Sequence, residues 1–93
     1  MLNKILMKLG LKEKDLTTYL ECADKIEKVI IDDEYTVTVI EDNVGWYDII
    51  GWKNSKCRNL RFRIWPMTTE KATFEKIDKC VNAILKVMKD NND

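Results

Sequence analysis

No histidine occurs anywhere in the chain. That absence removes the commonest general base and the commonest metal ligand together. Ser55 is the single serine and lies in a polar stretch, so a serine nucleophile has nothing to pair with. With three glycines and one proline, there is no glycine-rich phosphate loop. The cysteines Cys22, Cys57 and Cys80 are odd in number, widely spaced and without a CxxC pair. They read as free thiols of a reducing compartment, not as a disulfide or zinc framework. No metal and no cofactor is expected.

An excess of charge is missing too: 16 basic residues balance 16 acidic ones. A domain that lived on duplex DNA would carry a positive surplus, so no duplex DNA is expected as a partner. No uninterrupted apolar run exceeds that of Val29-Ile30-Ile31, far short of a membrane span. Lys4 and Lys8 interrupt the apolar N-terminus, which makes a poor secretory signal. The expected location is the cytoplasm, with no membrane partner.

What is present is an ordinary globular balance, 45% hydrophobic and 34% charged, in 93 residues. That length suits a single domain, 1–93, with a thin stability margin. Apolar positions Leu2, Ile5, Leu9, Leu16, Tyr19, Ala23, Ile26 and Ile30 step by threes and fours, apart from a mismatch at Lys12, and predict helix. Gly10 weakens that helix by about 1 kcal/mol relative to alanine. The stripe is either one helix bent there or, preferably, a short helix and a longer one from about Glu13. Lys4, Lys8 and Lys12 lie opposite Leu2, Ile5, Leu6 and Leu9, a pattern shared with membrane-surface helices. With so few lysines, core packing is the favoured reading.

Three strands follow in prediction: 34–41, 46–53 and 60–65. Asp42-Asn43-Val44-Gly45 forms the first connection and Asn54 to Asn59 a longer polar loop. Pro66 ends the third strand. A last helix, capped by Thr68 or Thr69, carries the stripe Phe74, Ile77, Val81, Ile84 and Met88, and a tail from Asp90 is expected to fray. The predicted class is α+β: a helix, or two, then a three-stranded antiparallel β-meander, then a C-terminal helix, a single sheet layer packed by helices. This order resembles, in architecture alone, many unrelated small proteins, among them some phage-encoded inhibitors of host defence and some bacterial immunity proteins.

Alternation along the strands assigns two faces. Leu60, Phe62 and Ile64 match Tyr35, Val37 and Val39 as the core face. Tyr47, Ile49 and Gly51 join them, because the other side of the second strand carries Asp48, a carboxylate that needs a partner if buried. The second face then holds Trp46, Ile50, Trp52, Trp65 and Ile40 beside Arg61 and Arg63. Either another helix covers it, with Asp48 paired to an arginine across strands, or it is a partner surface of the tryptophan–arginine kind. The expected partner-binding residues are Trp46, Asp48, Trp52, Arg61, Arg63 and Trp65.

Charge is sorted along the same region. Residues 32–48 contain six acids and no base, and residues 49–65 five bases and no acid. In a three-strand meander the two signs would sit at opposite edges, available to a charge-patterned partner or to a two-fold dimer. Lys56 and Arg58 flank Cys57 and favour its thiolate, but no base or resolving cysteine stands near, so it reads as an incidental exposed loop thiol. Cys22 and Cys80 read as small buried hydrophobes.

These features predict a non-enzymatic protein-binding module: an inhibitor, antitoxin-like or adaptor protein of a bacterium, its phage or another mobile element. Its partner is another protein or a second copy. The alternative is a single-stranded nucleic-acid platform on the tryptophan–arginine face. An enzyme using carboxylates or Cys57 is the least favoured reading.

Overall fold

A computed structural model describes residues 15–91, which form an α+β unit. A short helix α1 (Leu16–Cys22) precedes strands β1 (Ile26–Asp32), β2 (Tyr35–Glu41), β3 (Tyr47–Lys53) and β4 (Lys56–Ile64), and helix α2 (Glu70–Asn91) closes the chain. The strands make one antiparallel meander in the order β1-β2-β3-β4. The expected N-terminal helix, its bend at Gly10 and its lysine face lie outside the described residues.

The meander has four strands, not the three that the alternation predicted. Residues 26–32 follow a helical stripe in sequence but fold as β1, because helix α1 ends at Cys22 and Ala23 turns extended. Ile26, Val29, Ile30 and Ile31 are β-branched, and such side chains suit a pleated surface better than a helix interior. Asp33 supplies the tight connection to β2 with a φ of 59°. The expected loop of residues 54–59 is also shorter. Asn54 and Ser55, both at positive φ, make a two-residue hairpin turn, and β4 begins at Lys56. Asp90 and Asn91, expected to fray, complete the last turn of α2.

Helix α2 starts where Thr69 caps it, its hydroxyl accepting from the Ala72 amide at 3.1 Å. Thr73, one turn on, donates to the Thr69 carbonyl and accepts from the Met67 amide, which fixes how the chain leaves β4. The helix buries Ile77, Cys80, Val81, Ile84 and Met88 against Tyr35, Val37, Val39 and Ile49. That is the face the alternation assigned to the core. Phe62 shares the face but lies on the outermost strand and stays 42% exposed. At Gly51 α2 lies close on the sheet: a Cβ there would stand 2.6 Å from Ile84 Cγ2.

A smaller core occupies the other face. Helix α1 is capped by Asp15, whose carboxylate accepts from the Thr18 amide, and the Leu16 amide bonds the Ser55 carbonyl at 2.8 Å. So tethered, α1 lays Leu16, Tyr19 and Leu20 on Ile40, Ile50 and Trp52. The expected exposure of Trp52 is therefore wrong: it is 0% exposed, its ring 5.2 Å from that of Tyr19. Its indole N–H donates to Thr38 Oγ1 at 3.0 Å, which satisfies both buried polar groups. Cys57 is half-buried at the edge of this cluster instead of standing out in a loop, while Cys22 is half-buried and Cys80 buried.

Candidate functional site

Since α1 is only seven residues long, it cannot cover the whole second face. The corner that α1 leaves uncovered lies where β3 begins and β4 ends. Trp46 precedes β3, Trp65 follows β4, and the Tyr47↔Ile64 pairing brings them together. Their rings meet edge to face, with centroids 5.0 Å apart and planes inclined at 64°. The guanidinium of Arg63 lies over the Trp46 ring, 5.4 Å from its centroid. Trp65 is 51% exposed and Trp46 half-buried.

Asp42 organises this corner from the β2–β3 connection. Its Oδ1 accepts from the amides of Val44, Gly45 and Trp46 at 2.8–2.9 Å. Its Oδ2 accepts from Arg63 Nη2 at 2.9 Å. Gly45 takes a φ of 111°, open to glycine and strained for other residues, and packs beside the Trp65 ring. Burial pushes the Asp42 carboxyl up, but the three amides and Arg63 outweigh it and hold its pKa below the usual aspartate value. One carboxylate thus fixes the turn, the Trp46 backbone and the arginine that covers the Trp46 ring.

Asp48 sits one step deeper, with its side chain 13% exposed, between Arg61 Nη2 at 3.5 Å and Arg63 Nε at 3.7 Å. The Asp48↔Arg63 cross-strand pairing sets this geometry. Asp48 Oδ1 is buried and has no hydrogen-bond partner, so its compensation is electrostatic only. Of the six residues expected to meet a partner, five stand together here: Trp46, Asp48, Arg61, Arg63 and Trp65. Trp52 does not belong with them.

The expected separation of acids and bases to opposite edges is also corrected. Asp42 and Asp48 lie beside Arg63, Glu34 faces Lys53, Glu41 pairs with Lys25 at 2.9 Å, and Asp32 pairs with Lys89. Glu34, Asp42 and Asp48 thus meet bases of the second block, while Glu41 and Asp32 meet lysines outside it. Sequence reasoning missed Asp42, whose signal was an aspartate opening a turn three residues before Gly45. It also missed Tyr19, which the helical stripe placed in a core without showing which.

Three concavities stand out among the described residues, one of about 220 Å³ lying between Leu60, Phe62, Ile84 and Val87. A small pocket of about 150 Å³ lies between Tyr19, Trp52, Cys57 and Arg61. A polar cleft of about 380 Å³ opens beside Lys25, Glu41, Tyr47 and Thr69. Burial, and then the negative charge of Glu41, push the Tyr47 hydroxyl above its ordinary pKa, so it is a neutral hydrogen-bonding group near pH 7. Among the described residues no three His, Cys, Asp or Glu side chains stand close enough to hold a metal ion. No described helix is long and apolar enough to cross a membrane. No protein family, curated protein or solved structure matches this chain at a significant level.

Proposed function

We propose that the chain is a non-enzymatic protein-binding module, an inhibitor, antitoxin-like or adaptor protein of a bacterium, its phage or another mobile element. It works in the cytoplasm and meets its protein partner through Trp46, Trp65, Arg61 and Arg63. The observation that carries this reading is Trp65, a large ring half in water and held against Trp46 instead of being tucked into a core. Exposed apolar surface of this kind tends to mark contact sites, and Trp and Arg are the residues most enriched among binding anchors. The corner is also pre-organised. Asp42 fixes the turn and Asp48 aims the arginines, so less conformational entropy is lost on association.

The test begins with tryptophan fluorescence. With Trp46 and Trp65 changed to Phe, the remaining Trp52 should resist iodide and acrylamide; with Trp46 and Trp52 changed, Trp65 should be quenched readily. A partner is then captured from the native host and its binding followed with Trp65→Ala and with Arg63→Glu. Trp65→Ala should mainly speed dissociation and cost about 2 kcal/mol. Undiminished binding in both variants would place the contact elsewhere. The single-stranded nucleic-acid reading has less support, because phosphates would have to displace Asp42 and Asp48 from the arginines. Salt-dependent oligonucleotide binding lost in Trp65→Ala would favour it instead.

A further inference from the structure

The sheet has two edges, and they are not alike. β4 is blunted: its register slips between Ile50 and Trp52, Asn59 takes a φ of 60°, Asp15 bridges to Lys56, and Arg61 and Arg63 project from it. Such features discourage another strand from adding. β1 has its irregularity only at Ile26/Lys28, and from Lys28 to Asp32 its ladder with β2 is regular. Among the described residues no strand pairs with its outer side. Its side chains on the α1 face, Val29 at 38% and Ile31 at 73%, are exposed.

We infer that β1 pairs antiparallel with β1 of a second copy of this chain, centred on Ile30, to form a continuous eight-stranded sheet. The register follows from symmetry. A two-fold axis normal to the sheet sets residues of one face opposite residues of the same face, so each register centres on one residue. Centring on Lys28 puts that lysine against itself. Centring on Val29 sets Ile31 against Glu27, and centring on Ile31 sets Val29 against Asp33. Centring on Ile30 pairs Val29 with the partner copy's Ile31 twice over, which covers the exposed apolar side chains. On the α2 face it pairs Lys28 with the partner copy's Asp32, also twice.

The charge pattern around that register is complementary. Lys28 already lies 3.2 Å from Asp78 of its own α2, and Asp32 pairs with Lys89. Across the axis these become a row alternating in sign: Asp78, Lys28, then the partner copy's Asp32 and Lys89. Glu27 and Asp33 approach only at the rim, where the bulge and the turn leave the ladder. This contact lies at the edge opposite the tryptophan–arginine corner and does not depend on it.

Sedimentation across a concentration series should show a monomer–dimer equilibrium with a dimer of twice 11.0 kDa. Ile31→Lys introduces two buried cations per dimer and should raise the dissociation constant roughly tenfold or more. Because Ile31 is exposed in the monomer, this change should leave the monomer folded, and circular dichroism checks that. Trp65→Ala should leave the dimer intact. In a background with Cys22 and Cys57 changed to Ser, Val29→Cys mixed with Ile31→Cys should cross-link as a heterodimer, while neither alone does so efficiently. A monomer at every concentration overturns the inference and leaves the edge to a strand of another protein. A dimer indifferent to Ile31→Lys, or equal cross-linking in the single variants, overturns it as well.

Discussion

Substitution at Gly51 should destabilise the protein in proportion to side-chain size, against the trend of strand propensity. Gly51 faces α2 from the middle of β3, where a Cβ would lie 2.6 Å from Ile84 Cγ2 and 3.1 Å from Met88 Sδ. Carbon atoms rest at about 3.5–4.0 Å, so something must yield by roughly 1 Å. Met88 is flexible and can give way, but Ile84 is β-branched and held to one rotamer on a helix. Overpacking of this kind costs about 1–3 kcal/mol. Alanine recovers about 0.4–1 kcal/mol by restricting the unfolded chain, leaving a net loss of about 0–2.6 kcal/mol for Gly51→Ala, toward the upper end because Ile84 cannot turn away. Gly51→Val should lose about 3 kcal/mol or more, although valine is the better strand former. In urea, with a slope of about 1–3 kcal/mol/M, each kilocalorie lowers the midpoint by about 0.3–1 M. A midpoint for Gly51→Val at or above that of wild type would refute the close approach of α2 to β3. Adding Ile84→Ala to Gly51→Ala should cost less than the two changes separately, since it removes the methyl that clashes.

The Asp42 carboxyl has its pKa lowered in the folded state, so its contribution to stability is fully present above the unfolded value, about 3.9, and is lost as pH falls through the lower folded value. Urea midpoints measured down this range should fall more steeply for wild type than for Asp42→Asn, which keeps an acceptor for the turn but has no charge to lose. Ile77→Ala should cost about 2–5 kcal/mol, because Ile77 is buried between α2 and the sheet. Phe62→Ala should cost clearly less, since its ring already keeps much of its contact with water; equal midpoint shifts would show that β4 is packed more tightly than its exposure indicates.

Most of the sheet was legible from alternation. Tyr35, Val37, Val39, Ile49, Leu60 and Ile64 lie on the face that their spacing assigned, and the carboxylate of Asp48 told which side of β3 meets the larger core under α2. β1 was hidden because Leu16, Tyr19, Ala23, Ile26 and Ile30 satisfy a helical period by coincidence. The first two positions form the apolar side of α1, and the last two belong to a strand. Local composition held the missing signal, with four β-branched residues in seven followed by an acidic two-residue turn. Trp52 was misplaced for a related reason. Strand phase states which face a side chain takes, but what covers that face depends on α1 being anchored over it by Ser55, a contact between segments far apart in the sequence.

The charge blocks show most clearly where sequence reading stops. Acids in residues 32–48 and bases in 49–65 look like two opposed surfaces when the chain is read as a line. A hairpin reverses that relation, because the β3–β4 register sets Asp48 opposite Arg63 and leaves Asp42 within reach of the same guanidinium. Neighbouring blocks of opposite sign joined by an antiparallel turn tend to pair with each other before they meet a partner. Here the long-range field is reduced, Arg63 is held over the Trp46 ring, and Arg61 stays beside Asp48. Steering at a distance is weakened by such pairing, while contact at close range gains a rigid apolar surface with directed donors at its rim. Binding at this corner should therefore depend more on Trp65 than on the net charge of the arginines. The ionic-strength dependence of its association rate should be shallow in wild type. A steep dependence would mean that the arginines act as free charges and that their pairing with Asp42 and Asp48 does not persist in solution.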